Sequence, residues 1–196
     1  PEHPHHPTSP SKLQSLEQCP CYSNYEPDTP HEMTVRGTAQ HDVVESGEIP
    51  DDMTDEDAAM AMERRNYIKD RISMLLEQHG GKVKLVTEEY YPIDSKPNFD
   101  ENGQLFLGTT AGYLDCALVF DDQKQAELHD WKFGRWAVEP AQNNTQGMAY
   151  ALGLLRRFPK LETITVFFHV PRVSSTPNSH TFNRKYLEET VRQRIE

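Results

Sequence analysis

The chain has 196 residues and a formal net charge of -11 at pH 7, a length sufficient for one domain with its own hydrophobic core. Its mean hydropathy is -0.77 and it has no stretch of about 20 apolar residues, so we exclude an integral membrane protein and expect no membrane partner. The three cysteines form neither a paired zinc motif nor an even set for disulfides, which favours a reducing cytoplasm. The chain begins without Met and stops within a helical pattern, so we expect it to be part of a longer chain that is truncated at its C-terminus.

Acidic and basic residues are distributed unevenly along the chain. Residues 1–131 contain 26 acids and ten bases, whereas residues 132–196 contain ten bases and five acids. The basic C-terminal third suits contacts with phosphates, through Arg135, Arg156, Arg157, Lys160 and Arg172. Residues 42–63 contain nine acids and no base. We interpret them as a solvent-exposed face and a helix start, and the alternative is an acidic patch that mimics DNA or binds a partner.

Helical patterns dominate the first 80 residues. Residues 1–10 combine four prolines with three histidines, so we expect a disordered tail there. A short helix is predicted over residues 11–19, and a second helix start over residues 37–45. The longest helix is predicted to run from Thr54, which Asp57 follows three residues later as a start signal, to a stop at the two glycines at 80 and 81.

The pattern changes from helical to extended after residue 81. Strands are predicted over residues 82–91, 104–109, 113–120, 125–132 and 161–170, and helices over residues 142–157 and 183–196. Residues 92–103 are predicted to form a polar loop. This order predicts an α/β fold in which a central mixed β-sheet of about four to five strands is flanked by helices.

One predicted hairpin places two carboxylates side by side. If its turn centres on residues 122–123, Asp115 faces Asp130 across the two strands, and Lys132 points to the same face as Asp130. Like charges at this spacing are destabilising unless a cation lies between them. The pattern therefore predicts a site for a hard divalent cation such as Mg²⁺; the alternative is a surface hairpin in which Lys132 merely neutralises the pair.

Several motifs, taken in order, resemble the PD-(D/E)XK nuclease superfamily, and more narrowly its RecB-like branch, which includes phage exonucleases. The core motifs are GYLD at 112–115, DWKFG at 130–134 and QGMAYALG at 146–153. Residues 11–20 and 37–45 are similar to the two helical motifs that precede the RecB-like core. The resemblance covers roughly residues 11–190 and implies a restriction-endonuclease-like core, in a single nuclease domain over residues 11–196.

The resemblance also implies a role for the matching residues. His41, Asp115, Asp130 and the backbone carbonyl of Trp131 would be metal ligands, with Mg²⁺ or Mn²⁺ as the cofactor. Asp115, Asp130 and Lys132 would be catalytic, and Lys132 would orient or activate the attacking water and stabilise charge on the phosphate.

Other residues match the branch at its substrate contacts. Gln146 and Tyr150 match a helix motif that contacts the substrate strand, and Gln142 extends it at the same four-residue spacing, although a polar helix stripe is the alternative. Arg135, as a member of the basic C-terminal third rather than of a motif, would contact the DNA backbone. Glu88 matches an acidic position of the branch less closely, and the alternative is an exposed carboxylate on an edge strand.

Cysteine and aromatic positions complete the sequence predictions. Some RecB-like nucleases bind an iron-sulfur cluster through one N-terminal and three C-terminal cysteines, but no cysteine follows Cys116, so we expect no such cluster and interpret Cys116 as a core residue. Four aromatic residues are candidates to stack on bases, with packing in the core or at its rim as the alternative: Tyr90, Tyr91, Trp131 and Trp136.

The resemblance implies a metal-dependent DNA nuclease that hydrolyses phosphodiester bonds, an exonuclease of phage or bacterial recombination or repair. We expect it in the cytoplasm of a bacterium or phage-infected host, with DNA and a recombinase, single-strand-binding protein or helicase as partners. Two alternatives stay open. One is a nuclease fold that binds nucleic acid or protein without cutting, and the other is an acidic DNA mimic built on residues 42–63.

Overall fold

A computed structural model describes residues 9–18, 32–79, 82–93, 97–99, 105–107, 111–120 and 124–195. The helices are α1 (Pro10–Gln18), α2 (Glu32–Ser46), α3 (Asp55–His79), α4 (Thr145–Arg157), α5 (Arg184–Tyr186) and α6 (Arg192–Ile195), with a π-helical turn (Leu187–Val191) between the last two. The strands are β1 (Lys84–Pro92), β2 (Pro97–Phe99), β3 (Leu105–Leu107), β4 (Ala111–Phe120), β5 (Gln125–Trp131), β6 (Thr163–His169) and β7 (Asn178–Asn183). Within these ranges, no helix combines the length and the apolar character that crossing a bilayer requires.

Five strands form one mixed sheet in the order β1-β4-β5-β6-β7. The pair β5 and β6 is parallel and α4 connects its two strands, whereas the other neighbouring pairs are antiparallel. Strands β2 and β3 form a separate two-stranded sheet. The architecture is α/β with a mixed sheet flanked by helices, as the sequence predicts, and it is consistent with a restriction-endonuclease-like core.

Two hydrophobic cores lie on opposite faces of the five-stranded sheet. Alternate residues of β4 separate them, because Ala117 and Val119 join one core while Leu118 and Phe120 join the other. The first core contains the apolar residues of α4 with Leu13 of α1 and the π-helical turn. The second contains the apolar residues of α2 and α3. The sheet is therefore the middle of three layers.

Local signals explain where the main helices begin and end. Helix α3 starts where the Thr54 hydroxyl accepts a hydrogen bond from the Asp57 N–H (3.3 Å). Helix α2 ends at Ser46, and the next residue, Gly47, has a φ of 81°, in the left-handed region that glycine adopts readily. Gly147 in α4 serves a different purpose, because a Cβ there would lie 2.9 Å from side-chain atoms of Val166 and Phe168. Because glycine has no Cβ, α4 can approach β6 closely at this position.

Several element boundaries differ from those predicted. Helix α2 begins at Glu32 rather than near residue 37, because one glycine inside a helix costs only about 1 kcal/mol and tertiary contacts outweigh it. Pro10 is the first residue of α1 and Ser9 is buried, so the predicted tail is wrong for these two residues. Residues 1–8 lie outside the described ranges.

Two short strands were not predicted. Strand β2 lies inside the predicted loop at 92–103 and pairs with β3, which forms within the predicted strand at 104–109. Strand β7 pairs with the edge of β6 and buries only Phe182, so its sequence lacks the alternation that signals a strand. The predicted C-terminal helix forms as α5, the π-helical turn and α6.

A buried carboxylate, Asp57 of α3, connects α3 to α2 and to the segment that follows β6. It accepts hydrogen bonds from Arg36 (3.0 and 2.7 Å) and from Arg172, and its backbone carbonyl accepts one from the Gln40 side chain (3.2 Å). Burial alone would raise the pKa of Asp57, but its hydrogen bonds with Arg36 and Thr54, together with the charge of Arg172, hold that pKa below its usual value. Asp57 therefore fixes the position of α2.

We predict that Asp57→Asn lowers the free energy of unfolding by about 2–4 kcal/mol at pH 7, because it leaves two arginines without their counter-charge. A carboxylate with a lowered pKa stabilises the fold above its unfolded pKa of about 3.9, and this stability is lost as the pH falls through the folded value. The deficit should therefore shrink in acid. Urea unfolding at pH 7 and pH 3 measures this deficit. The control is Asp55→Asn, in the exposed first turn of the same helix, which should lower the free energy of unfolding by less than about 1 kcal/mol.

Candidate active site

The β4–β5 hairpin brings the two predicted carboxylates together. Its pairing runs from Phe120 opposite Gln125 to Cys116 opposite His129, which confirms the predicted register. The next residues along the two strands are Asp115 and Asp130. The turn itself, residues 121–123, lies outside the described ranges.

Asp115 is held by the backbone of the neighbouring strand and faces α2. Its Oδ2 accepts a hydrogen bond from the Trp131 N–H (2.7 Å) and lies 3.5 Å from His41 Nδ1. The His41 ring contacts the Phe133 ring edge-on, with 5.4 Å between ring centroids. Helix α2, and through it the Asp57 cluster, therefore determines where the imidazole lies.

Asp130 is almost completely buried, at 2% exposed. Its Oδ1 accepts a hydrogen bond from Gln146 Nε2 of α4 (3.2 Å), and its Oδ2 lies 2.7 Å from Lys132 Nζ. Burial raises the pKa of Asp130 to about 6; the Lys132 ammonium opposes this rise and the Asp115 carboxylate adds to it. The charged form of Asp130 is therefore less stable here than in water, and a further cation bound nearby would stabilise it.

Lys132 is the cation that the two carboxylates share. Burial alone would lower its pKa, but the charges of Asp130 and Asp115 raise it above the usual value. Its backbone N–H donates to the His169 carbonyl (2.8 Å), which ties the residue to the end of β6. Lys132 is therefore a protonated donor in this arrangement and suits stabilisation of negative charge rather than proton abstraction.

The residue types at this strand end fit a divalent cation. Carboxylates, imidazole and carbonyl oxygen suit Mg²⁺ or Mn²⁺. Apart from the Lys132 ammonium at 2.7 Å, the buried Asp130 Oδ2 has no polar partner in the part of the chain that the structure describes. Across that same part, no three His, Cys, Asp or Glu side chains form a ready-made metal cluster. The chain's own groups engage the carboxylates instead, Lys132 at Asp130 and the Trp131 N–H at Asp115.

A cavity of about 200 Å³ opens beside Asp115, between α2, α3 and the edge of the sheet. His41, Asp115 and Trp131 line it at the site, and Ile68 and Ile72 of α3 form part of its apolar wall. The cavity gives solvent and small groups access to the Asp115 side of the site.

Three of the residues predicted to contact the substrate lie in different surroundings. Gln142 does not lie on α4, because Asn144 caps that helix by accepting a hydrogen bond from the Gly147 N–H (3.1 Å), and Gln142 lies in the exposed turn before it. This corrects the predicted helix boundary and the stripe built on it. Tyr150 is 6% exposed and belongs to the first hydrophobic core, whereas Arg135 is exposed.

Other predictions depend on residues that the structure describes only in part. Glu88 lies on β1 between Thr87, which pairs with Cys116, and Glu89, which pairs with Leu114, but its side chain lies outside the described part. The same holds for the side chains at 90 and 91 and for the cysteines at 19 and 21. Cys116 itself is buried, at 3% exposed, as predicted.

Arg172 does not belong to the predicted DNA-contacting surface. Its guanidinium donates to Asp57, to Glu56 (2.5 Å) and to the Phe133 carbonyl (3.0 Å), and its side chain is only 9% exposed. Arg157 pairs with Glu89 at 3.3 Å. The acidic residues 42–63 include the start of α3, as predicted, and Asp57 among them is part of the interior.

A buried polar network behind the site was not predicted. Glu127 binds Arg71 of α3 through two hydrogen bonds, one of 2.9 Å, and lies 3.4 Å from His129 Nε2. His129 Nδ1 lies 3.1 Å from His169 Nε2, and the His169 ring lies against Trp131, with 4.4 Å between ring centroids. One sequence signal could have revealed this network. Side chains alternate between the two faces of β5, so Glu127, His129 and Trp131 share the face opposite Asp130.

We predict that Gln146→Ala lowers the free energy of unfolding by about 1–3 kcal/mol, because it leaves Asp130 Oδ1 buried without its donor. Chemical denaturation measures the change. The matched control is Gln142→Ala, which removes the same side chain from an exposed turn and should change stability by less than about 0.5 kcal/mol. Equal losses in both variants would contradict the assigned hydrogen bond.

We predict that Arg71→Met lowers the free energy of unfolding by about 3–5 kcal/mol at pH 7, because it leaves the Glu127 carboxylate buried and unpaired. Burial alone would raise the pKa of Glu127, but Arg71 and His129 lower it to about 2. The stability that this carboxylate contributes is thus present above pH 4.5 and is lost as the pH falls towards 2. Denaturation curves between pH 7 and pH 3 should show the two proteins converging in acid, while the exposed control Lys69→Met stays close to wild type.

One comparison with known proteins bears on this chain. The model of a family described as "Protein of unknown function (DUF2800)" matches residues 21–194. The match includes α2 with His41, the hairpin with Asp115, Asp130 and Lys132, and α4 with Gln146. It therefore includes every described element that contributes to the candidate site.

Proposed function

The chain belongs to the DUF2800 family of proteins of unknown function, and we propose that it is a metal-dependent DNA nuclease of the PD-(D/E)XK superfamily, RecB-like branch. The observation that carries the proposal is the pair Asp115 and Asp130 on adjacent strands with Lys132 Nζ 2.7 Å from Asp130. A surface hairpin that was merely neutralised by its lysine would leave these groups in solvent. Here Asp130 is 2% exposed, which favours a functional site.

Mg²⁺ or Mn²⁺ is the proposed cofactor, held by Asp115, Asp130, His41 and the Trp131 carbonyl. When bound, such an ion supplies Lewis-acid polarisation of a phosphodiester and a lowered pKa for a water molecule. The protein supplies the geometry. Gln146 fixes one oxygen of Asp130, the Trp131 N–H fixes one oxygen of Asp115, and helix α2 carries His41 to the same strand end.

Lys132 is the proposed electrostatic catalyst. Its ammonium lies 2.7 Å from Asp130 Oδ2, at the same strand end as the proposed metal ligands, so its proposed role is to bind a phosphate oxygen, orient the attacking water and stabilise the charge that develops on the phosphate. The anchoring of its backbone to His169 limits its movement. Fixed donors of this kind need no reorganisation during the reaction, which is the source of their effect on rate.

DNA is the proposed polymer, and Arg135 with the exposed Lys160 would contact its phosphates. The proposed setting is recombination or repair in the cytoplasm of a bacterium or phage-infected host, with an exonuclease activity and a recombinase, single-strand-binding protein or helicase as partner. These finer assignments rest on the resemblance of the motifs to the RecB-like branch.

We predict that the protein degrades linear DNA in Mg²⁺ or Mn²⁺ and that Lys132→Ala lowers the rate at least about 100-fold, because it removes a preorganised cation from the scissile phosphate. Asp115→Asn should do the same, and EDTA should stop the reaction. Lys82→Ala, which removes an exposed lysine near β1, is the matched control and should keep full activity. Gel assays on linear and circular, single- and double-stranded DNA measure this.

Each outcome of that assay discriminates between the proposals. Degradation of linear DNA alone supports an exonuclease, and cutting of circles indicates an endonuclease. No cleavage by the folded protein with either metal would contradict the enzyme proposal and favour a nuclease fold that only binds.

We predict that saturating Mn²⁺ stabilises the wild-type protein independently of any reaction. At 100 times the dissociation constant the gain is about 2.7 kcal/mol, or roughly 5–10 °C in Tm for a chain of this size. Asp115→Asn and Asp130→Asn should lose the shift because each removes a proposed ligand, whereas Asp70→Asn, an exposed acid on α3, should keep it. An equal shift in all four proteins would contradict metal binding at this site.

A further inference from the structure

The segment of residues 134–140, which we call the rim loop, follows the site directly and is anchored at both ends. On one side Phe133 contacts the His41 ring and accepts a hydrogen bond from Arg172 through its carbonyl (3.0 Å). On the other side Ala141 is fully buried, and its N–H donates to the Asn178 side chain (2.6 Å). Both ends of the loop are therefore held by packing and hydrogen bonds, one of them directly beside the site.

Trp136, near the middle of the rim loop, is 85% exposed, the largest exposure of any large hydrophobic residue in the described ranges. The chain has two tryptophans, and the other, Trp131, is 2% exposed. For both tryptophans the sequence left open the alternative of packing in the core. This alternative applies to Trp131 and not to Trp136. The exposed indole is accessible to a ligand, and covering its apolar surface would be favourable.

The chemistry around Trp136 points to a nucleic acid as that ligand. Arg135, the preceding residue in the chain, is also exposed, and an exposed aromatic ring together with an exposed cation can bind a base and its phosphate. Lys132, four residues earlier, contacts the Asp130 carboxylate of the candidate site. Because only four residues separate Trp136 from Lys132, a nucleotide bound at Trp136 would lie close to the candidate site on the same DNA strand.

We propose that Trp136 stacks on an unpaired base next to the phosphate held in the candidate site, and that the substrate is therefore a single strand or a frayed end of DNA. This inference rests on the proposed function for the location of the phosphate. Inside a duplex both faces of each base are covered by its neighbours, so an exposed indole finds a free face only on an unpaired or terminal base. Stacking of this kind tolerates any base, which suits an enzyme without sequence preference.

The two tryptophans make the proposal directly measurable. Intrinsic fluorescence should be quenched when an oligothymidylate of about 12 nucleotides binds, because Trp136 is accessible and Trp131 is not. The titration is made in EDTA, and again with Mg²⁺ in the Lys132→Ala variant, so that cleavage does not interfere. The same oligonucleotide annealed to its complement should quench much less.

Variants then separate stacking from charge and from general loss of surface. Trp136→Ala should abolish the quenching and weaken binding of the single strand about 5- to 100-fold. Arg135→Gln should keep the quenching and lower the salt dependence of binding by about one phosphate contact. Leu76→Ala removes another exposed apolar side chain, from α3, and should match the wild type.

The outcomes separate this proposal from the nuclease proposal. Quenching by single strands without any cleavage by the wild type supports stacking and contradicts the nuclease. Cleavage by the wild type with no quenching, and with an unchanged preference for single strands in Trp136→Ala, contradicts stacking and leaves the nuclease intact. A change of oligomeric state in Trp136→Ala without quenching in the wild type shows that the indole serves a protein interface, and that result also overturns the proposal.

Discussion

Repulsion between two carboxylates is the constraint on which the rest of this structure depends. The antiparallel ladder of β4 and β5 ends with Cys116 opposite His129, so the next residues, Asp115 and Asp130, lie at the same strand end. Like charges that lie close together destabilise a sheet. Each compensating group comes from a different element: Lys132 from the end of β5, His41 from α2 and Gln146 from α4. The site forms only when both helical layers pack on the sheet, so its assembly reports on the whole fold.

The interior behind the site is built to keep those groups still. Asp57 and its two arginines hold α2, and Arg172 also holds the carbonyl that follows Lys132 by one residue. On the far side of β5, Glu127 and Arg71 support the histidine pair that lies against Trp131. Arg36, Arg71 and Arg172 are therefore engaged by carboxylates of the interior, which leaves fewer cations for a ligand than the sequence suggests.

The sequence predicted what depends on local patterns and missed what depends on tertiary contacts. The hairpin register followed from a turn and two apolar runs, and the start of α3 from Thr54. The start of α2, the polar edge strand β7 and the position of Gln142 outside α4 did not follow, because packing, pairing and an Asn144 cap decide them. In the site, the two carboxylates and Lys132 could be predicted to meet. The position of His41 beside them followed only from the resemblance of residues 37–45 to a RecB-like motif. The hydrogen bond from Gln146 to Asp130 could not be predicted, since α4 approaches the strand end only in three dimensions.

Strand β5 carries a different network on each of its faces. Glu127 and His129 face α3, and Asp130 faces α4. A single-residue insertion or deletion within the strand would turn every later side chain to the opposite layer, so that a histidine would meet Gln146 and a carboxylate would meet the aromatic cluster. In this strand the length between Gln125 and Trp131 is itself part of the site, and homologous chains should vary in the residues of β5 far more readily than in their number.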